Sequence, residues 1–320
     1  RLVREALLVG EREDNMSDVF YNLDEVLNED YRHPVPMGIP GIDRLLKGGL
    51  AKGEIGVVLA PTGVGKSTLL TKIANHAFNI GKNVLQVFFE DNPKIIQRKH
   101  ITLWTKIHPD DLSDRKEEVM VKVQEVRDTM ENKLILKKLP SDTVTMGQIK
   151  NQVRKMIAEG VNIDVILLDY IDCVVPERNL GDEWKSEGSV MRAFEAMCHE
   201  LDIVGWTATQ GNRSSISSDV VTTDQMGGSI KKAQVGHVII SVAKSLQQKE
   251  MKLATIAITK SRIGDDGIVF ENCKFDNGML EIDTESSVTF LGLEDNKEEK
   301  NRQRVKELLE KKKLKQKNSQ

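Results

Sequence analysis

The sequence predicts an α/β layered domain with a largely parallel central sheet flanked by helices. Two observations carry this. Continuous apolar runs such as Ile55–Ala60 and Val165–Leu168 alternate with longer segments of helical period, and a glycine-rich loop joins one such run to one such segment. Strands buried on both faces read as unbroken apolar runs, and their alternation with helices implies crossovers between parallel strands.

The elements follow in order. Residues 1–30 are charged, with Val19, Leu23, Val26 and Leu27 at mixed helical spacing. They predict one or two short helices within a linker-like segment, residues 1–37. The Pro- and Gly-rich stretch His33–Gly41 breaks regular structure and opens a compact domain over residues 38–293. Ile55–Ala60 is its first strand. Thr68–Asn79 is a helix, because Leu69, Leu70, Ile73, Ala74, Ala77 and Phe78 share one face and Gly81 can end it. Val84–Phe89 is the next strand, and two charged helices over 94–107 and 113–131 follow. Leu134–Leu139 reads as a strand, Met146–Glu159 as a helix, Val165–Leu168 as a strand and Lys185–Leu201 as a helix. Ile203–Thr209, Val238–Ala243 and Leu253–Thr259 are strands. Ile268–Phe275 and Met279–Ile282 predict a C-terminal hairpin around Asn277-Gly278. Residues 294–320 read as a Lys/Glu-rich helix or a disordered tail.

Composition narrows the class. With 39% apolar and 30% charged residues in 320, the chain has material for a sizeable core. No apolar stretch approaches the roughly 18 to 20 residues of a membrane span. Arg1, Arg4 and Glu5 do not resemble a signal peptide, and a start at Arg1 rather than Met suggests a fragment. Cys173, Cys198 and Cys273 share no close spacing, so they predict buried small hydrophobes, not a zinc site or disulfide framework. A reducing cytoplasm fits. The net charge is −3, yet residues 297–320 hold ten Lys or Arg against four Glu, leaving −9 for the remainder. Overall charge does not announce a nucleic-acid binder, and such binding must come from a local patch.

Ala60-Pro61-Thr62-Gly63-Val64-Gly65-Lys66-Ser67 has the spacing of a P-loop, with Ala at the first position. It leaves a strand and enters a helix, so the backbone from Pro61 to Thr68 can surround phosphate oxygens, with N–H groups from Thr62 onward as donors. Lys66 would pair with the β and γ phosphates of ATP, and Ser67 would hold Mg2+. Asp169, at the carboxyl end of an apolar strand, supplies the second metal-side oxygen. Asp172 nearby reads as a solvated or capping residue. Hydrolysis also needs a group to orient or deprotonate water. Glu90, after five apolar strand residues, is the candidate; it could alternatively cap the turn before Pro93. Gln210 ends another strand, where an amide can report the γ-phosphate to the long Ser/Thr/Gly-rich loop over 211–229.

Together these features resemble the RecA-like motor core: Gly48-Gly49-Leu50, the P-loop, Glu90, Leu167-Leu168-Asp169-Tyr170 and Gln210. Two more segments resemble DnaB-type replicative helicases, in the style of bacteriophage versions. Lys260-Ser261-Arg262-Ile263-Gly264 resembles that family's Lys-x-Arg-x-Gly element, and Gly227-Gly228-Ser229-Ile230 its channel-lining Gly-Ser-Ile loop. The resemblance covers about residues 38–283. It implies a RecA-like P-loop ATPase core in a self-assembled hexameric ring around single-stranded DNA, moving 5′ to 3′, with a primase or a helicase loader as further partners. Lys260 and Arg262 would then enter the neighbouring subunit's ATP site as an arginine finger does. From residues alone the alternative is a surface basic pair at a strand end. Arg213, Gln225, Gly227, Gly228, Lys231 and Lys232 are the candidate DNA contacts, made to phosphates without base reading. Without the resemblance, the lysines read as a solvated helix start. Gln225-Met226 replaces the family's Arg-Glu pair, the lysines replace acidic and neutral residues, and no collar domain is recognisable in residues 1–37. A RecA- or RadA-type recombinase and a KaiC-like regulatory ATPase without DNA are the alternatives.

Overall fold

The structure, a computed structural model, describes residues 19–20, 23–27, 31–178, 183–211, 220–223, 230–285 and 289–290. The chain divides into two compact units, residues 1–33 and 34–320. In the first, α1 (Leu23–Val26) is a single helical turn. The predicted tail lies outside the described residues, as does most of the 211–229 loop.

The strands of the second unit are β1 (Ile55–Ala60), β2 (Val84–Phe88), β3 (Leu134–Lys138), β4 (Val165–Asp169), β5 (Val204–Gln210), β6 (Val238–Ala243), β7 (Leu253–Ser261), β8 (Ile268–Asp276), β9 (Glu281–Asp283) and β10 (Thr289–Phe290). They form one sheet in the order β10-β8-β7-β6-β1-β5-β4-β2-β3, with β9 paired to β8. From β6 to β3 every pairing is parallel; β7 to β10 pair antiparallel. The helices are α2 (Pro40–Leu45), α3 (Lys66–Asn79), α4 (Pro93–Thr105), α5 (Lys116–Thr129), α6 (Met146–Ala158), α7 (Glu183–Glu200), α8 (Ile230–Val235) and α9 (Leu246–Glu250).

The apolar runs are unbroken because the sheet is covered on both faces. In β1, Val58 and Ala60 enter one core with Leu69, Leu70 and Ile73 of α3. Ile55, Val57 and Leu59 enter the other, with Ile149 of α6 and Phe194 of α7. Side chains that alternate across a strand thus meet helices on either side. At the β3 edge the pattern changes: Lys137 and Lys138 are exposed, and such charges discourage a further strand from pairing. The three cysteines are buried, as small hydrophobes would be.

Three departures from the sequence reading have local causes. Pro40-Gly41 does not break structure but starts α2, since proline at a first helical position loses no needed hydrogen bond. Asp43 fixes the entry by accepting from the N–H groups of Met37, Gly38 and Ile39 at 2.8, 3.0 and 3.0 Å. The final hairpin has a four-residue loop, because Asp276 pairs with Glu281 and the Asp276 carboxylate accepts from the N–H of Gly278. And β7 runs on past Thr259 through Lys260 and Ser261.

A buried polar network joins α3, β2 and α4. His100 is 1% exposed, and its neutral ring satisfies both neighbours. Nε2–H donates to Gln86 Oε1 at 2.9 Å, and Nδ1 accepts from Asn75 Nδ2 at 3.2 Å. Burial lowers its pKa from 6.5 to about 3, with Lys99 adding to the effect. The unfolded chain therefore takes up this proton below 6.5, and the folded chain only near 3. Stability contributed here is complete above 6.5 and is lost as pH falls, by up to about 1.4 kcal/mol per pH unit. Urea midpoints at pH 7 and pH 5 should show a pH slope in the wild-type chain that His100→Gln reduces by that amount. Equal slopes would rule out His100 as its source.

Candidate nucleotide site

The carboxyl ends of β1, β4 and β5 and the residues after β2 surround a cleft of about 340 Å³, lined by Lys66, Ser67, Glu90, Asp169 and Gln210 among others. Parallel pairing places them together. Ala60 is opposite Gln210, and Phe88, two residues before Glu90, is opposite Asp169. The P-loop turns from β1 into α3 with positive φ at Gly63 and Gly65. A Cβ on Gly65 would lie 2.6 Å from Asn277 Oδ1 and 2.7 Å from the Phe275 ring, so glycine is required by space as well as by φ.

Lys66 is 9% exposed, and its ammonium donates to the carbonyls of Ala60 and Pro61 at 3.3 and 3.4 Å. Burial lowers its pKa, and Asp169, Asp172 and Glu90 oppose that shift. Asp169 is 6% exposed; burial raises its pKa, and a hydrogen bond with the Ser67 side chain lowers it. A carboxylate and a hydroxyl in contact are hard oxygen donors. They fit Mg2+, which completes its shell with phosphate and water.

Glu90 is exposed to the cleft, and the Tyr170 hydroxyl donates to its Oε1 at 3.1 Å. Burial raises the Tyr170 pKa, with Cys173 and Glu90 contributing, so this hydroxyl keeps its proton. Lys138 Nζ donates to the Glu90 carbonyl at 3.1 Å. Gln210 is held by its backbone, whose N–H donates to Asp172 Oδ2 at 3.2 Å. Asp172 also accepts from the Thr209 hydroxyl at 3.0 Å, and its side chain is 22% exposed, so it holds the end of β5 and is not a solvated residue.

The cleft holds residues that the sequence reading missed. Tyr170 adjoins Asp169 and Asp91 adjoins Glu90, so adjacency to a predicted residue was a usable signal. Lys99, on α4, reaches the cleft and pairs with Asp91 at 3.4 Å. Asn277 arrives from the β8–β9 turn, which nothing in the local sequence connects to phosphate.

Lys260 and Arg262 are not at this cleft. In β7, Lys260 is opposite Ile239 and Ser261 opposite Val238, and Val238 lies beside Gly56 at the start of β1. The P-loop leaves the other end of β1, about 13 Å further along at strand rise. Lys260 Nζ donates to the carbonyls of Ala233, Gln234 and Gly236 at 2.7, 2.9 and 2.6 Å. Arg262 donates to the Gln234 carbonyl at 2.6 Å. Burial brings the Lys260 pKa down to about 8, helped by Arg262 and opposed by Glu195. Gly264 closes this element because a Cβ there would lie 1.9 Å from the Leu45 carbonyl oxygen.

Among the candidate DNA contacts, Arg213, Gln225, Gly227 and Gly228 lie outside the described residues, and Lys231 is placed only as part of α8. Lys232 must be corrected. Its side chain is 3% exposed and lies 2.5 Å from Asp172 and 3.0 Å from Glu187, inside the domain and not on a surface that DNA can reach. Two carboxylates outweigh solvation for this lysine; a solvated helix start was the wrong expectation.

Comparison with known proteins agrees with this architecture. A DnaB-like replicative helicase of Enterobacteria phage T4 is 22% identical over 245 residues, 72% of this chain and 50% of that protein. The DNA repair protein RadA of Mycolicibacterium smegmatis is 40% identical, but over 57 residues, 18% of this chain and 12% of that one. The chain thus spans at most about half the length of these relatives. Two solved structures share the fold at a TM-score of 0.69 and 15% identity, each over 88% of this chain. One is a DnaB-like replicative helicase described with its interactions with primase, 71% covered; the other is the ATPase domain of G40P, 98% covered. The family model of the DnaB-like helicase C-terminal domain matches residues 34–283, and the chain belongs to that family.

Proposed function

We propose that this chain is the motor domain of a replicative DNA helicase, which hydrolyses ATP to move along single-stranded DNA and unwind duplex. The observation that carries the reading is a divided site. Lys66, Ser67, Asp169, Glu90 and Gln210 share one cleft, and Lys260 and Arg262 lie at the opposite end of the sheet. A basic pair so placed can serve phosphate only in another copy of the chain, which supports assembly into a ring.

In this scheme the P-loop amides and Lys66 bind the triphosphate, and Ser67 with Asp169 holds Mg2+. Mg2+ held by Ser67 and Asp169 would supply neutralisation of the charge that develops on the phosphates. Glu90, oriented by the Tyr170 hydroxyl, takes the proton of the attacking water. Arg262, with Lys260, stabilises charge on the γ-phosphate of the next subunit. Gln210 senses that phosphate. Arg213, Gln225, Gly227, Gly228 and Lys231 remain the proposed contacts to DNA phosphates. A primase is a fitting partner for the assembled protein, as is a helicase loader.

Steady-state ATP hydrolysis, with and without single-stranded DNA at 50 and 200 mM salt, tests the reading. DNA should stimulate turnover, and a contact to six or more phosphates of a single strand should lose affinity by about 300-fold or more across that range. Hydrolysis indifferent to DNA would move the reading to a regulatory ATPase of the same fold. The RadA likeness is too short to support a recombinase equally well.

A further inference from the structure

Lys232 is the most enclosed lysine among the described residues, and the cleft itself does not need it. Its ammonium lies between Asp172 and Glu187, at 2.5 and 3.0 Å. Removing a lysine from water is costly unless its partners are fixed and hydrogen-bonded. Asp172 is fixed in this way. It sits in a short 3-10 turn three residues after Asp169, and it accepts from the Thr209 hydroxyl at 3.0 Å and from the Gln210 N–H at 3.2 Å. The bridge therefore starts at the carboxyl end of β5, where Gln210 lines the cleft.

Its other end is α8. That helix is six residues long, too short to hold its shape without tertiary contacts. Lys232 anchors its middle. The carbonyls at its C-terminal end are held by Lys260 and Arg262, through Ala233, Gln234 and Gly236. One short rigid element thus touches both halves of the catalytic machinery, the chain's own cleft through Asp172 and the Lys260–Arg262 pair through its last carbonyls.

We propose that α8 links this chain's nucleotide cleft to its Lys260–Arg262 pair, and that Lys232 is the positioning residue that makes the link. Occupancy at Gln210 shifts Asp172; Lys232 carries the shift to α8; and the carbonyls of α8 set where Lys260 and Arg262 stand for the neighbouring site. The inference rests on the reading of Gln210 as γ-phosphate-facing and of Arg262 as acting in trans.

Hydrogen exchange of the full chain with Mg·AMPPNP and with Mg·ADP tests the link without relying on turnover. In the wild-type chain the triphosphate analogue should slow exchange over residues 230–236 by about 5-fold or more relative to ADP, the lower end of typical coupling between sites. Lys232→Gln should abolish that difference while peptides of the P-loop still respond. A merely structural lysine would lower protection of α8 equally with both nucleotides and leave the difference intact. Since Lys232→Gln alone leaves two carboxylates facing each other, a triple variant with Asp172→Asn and Glu187→Gln serves as the folded control, and it too should lose the difference. Lys232→Arg, which keeps the charge, should retain it. A wild-type difference that persists in Lys232→Gln or in the triple variant overturns the link, as does an α8 that ignores nucleotide while the P-loop responds. A P-loop that fails to distinguish AMPPNP from no nucleotide overturns the underlying ATPase reading itself.

Discussion

Glu90→Gln is expected to bind Mg·ATP as the wild-type chain does and to lower turnover by about 10² to 10⁴-fold, the range of a lost general base. The expectation comes from position. Glu90 follows β2 into the cleft, where the Tyr170 hydroxyl donates to its carboxylate at 3.1 Å and orients it. Glutamine keeps the shape and the hydrogen bond from Tyr170 but cannot take a proton from water. Equilibrium binding of a fluorescent ATP analogue, measured beside single-turnover hydrolysis, separates the two effects. Turnover within a few-fold of wild type would remove Glu90 from the chemistry and return it to a turn-capping role ahead of Pro93.

Arg262→Ala should lose about 10³ to 10⁵-fold in hydrolysis, the effect of an absent arginine finger. It should also regain activity on mixing with Glu90→Gln, which is inactive by itself. In such a mixture a chain with an intact Glu90 can sit beside a chain with an intact Arg262. Arg262 also donates to the Gln234 carbonyl, so the alanine variant could loosen α8. Thermal unfolding midpoints of the variant and the wild type distinguish that from a loss of chemistry. A folded Arg262→Ala chain that gains nothing on mixing would end the case for action between subunits.

The parts of the site that were legible in the sequence are those whose chemistry is local. A phosphate loop is eight consecutive residues, and Glu90, Asp169 and Gln210 announce themselves as polar residues at the ends of apolar strands. Parallel strands in register do the rest, since their carboxyl ends come together. Lys232 was misread because its surroundings depend on distant chain: Asp172 and Glu187 lie 60 and 45 positions earlier, and a six-residue helix is too short for periodicity to reveal its buried face. The α2 helix was hidden for the opposite reason, since Pro40 and Gly41 read as irregular chain, although proline is equally suited to a first helical position. Lys99 and Asn277 reach the cleft from a helix and a turn with no signal of phosphate chemistry around them.

The opposite placement of the cleft and the Lys260–Arg262 pair has a consequence for what a single chain amounts to. On the proposed reading, each copy would carry two halves of different sites, one at each end of its sheet, and complete neither by folding. A two-fold pair would bring like ends together, whereas head-to-tail contacts join unlike ends and either close into a circle or continue as a helix. An open row of copies always has one incomplete site, at its terminus, and a closed circle has none. Turnover per chain would then depend on concentration: dilution that disperses the copies is expected to silence every cleft without unfolding any of them, and closure of a circle to activate the last.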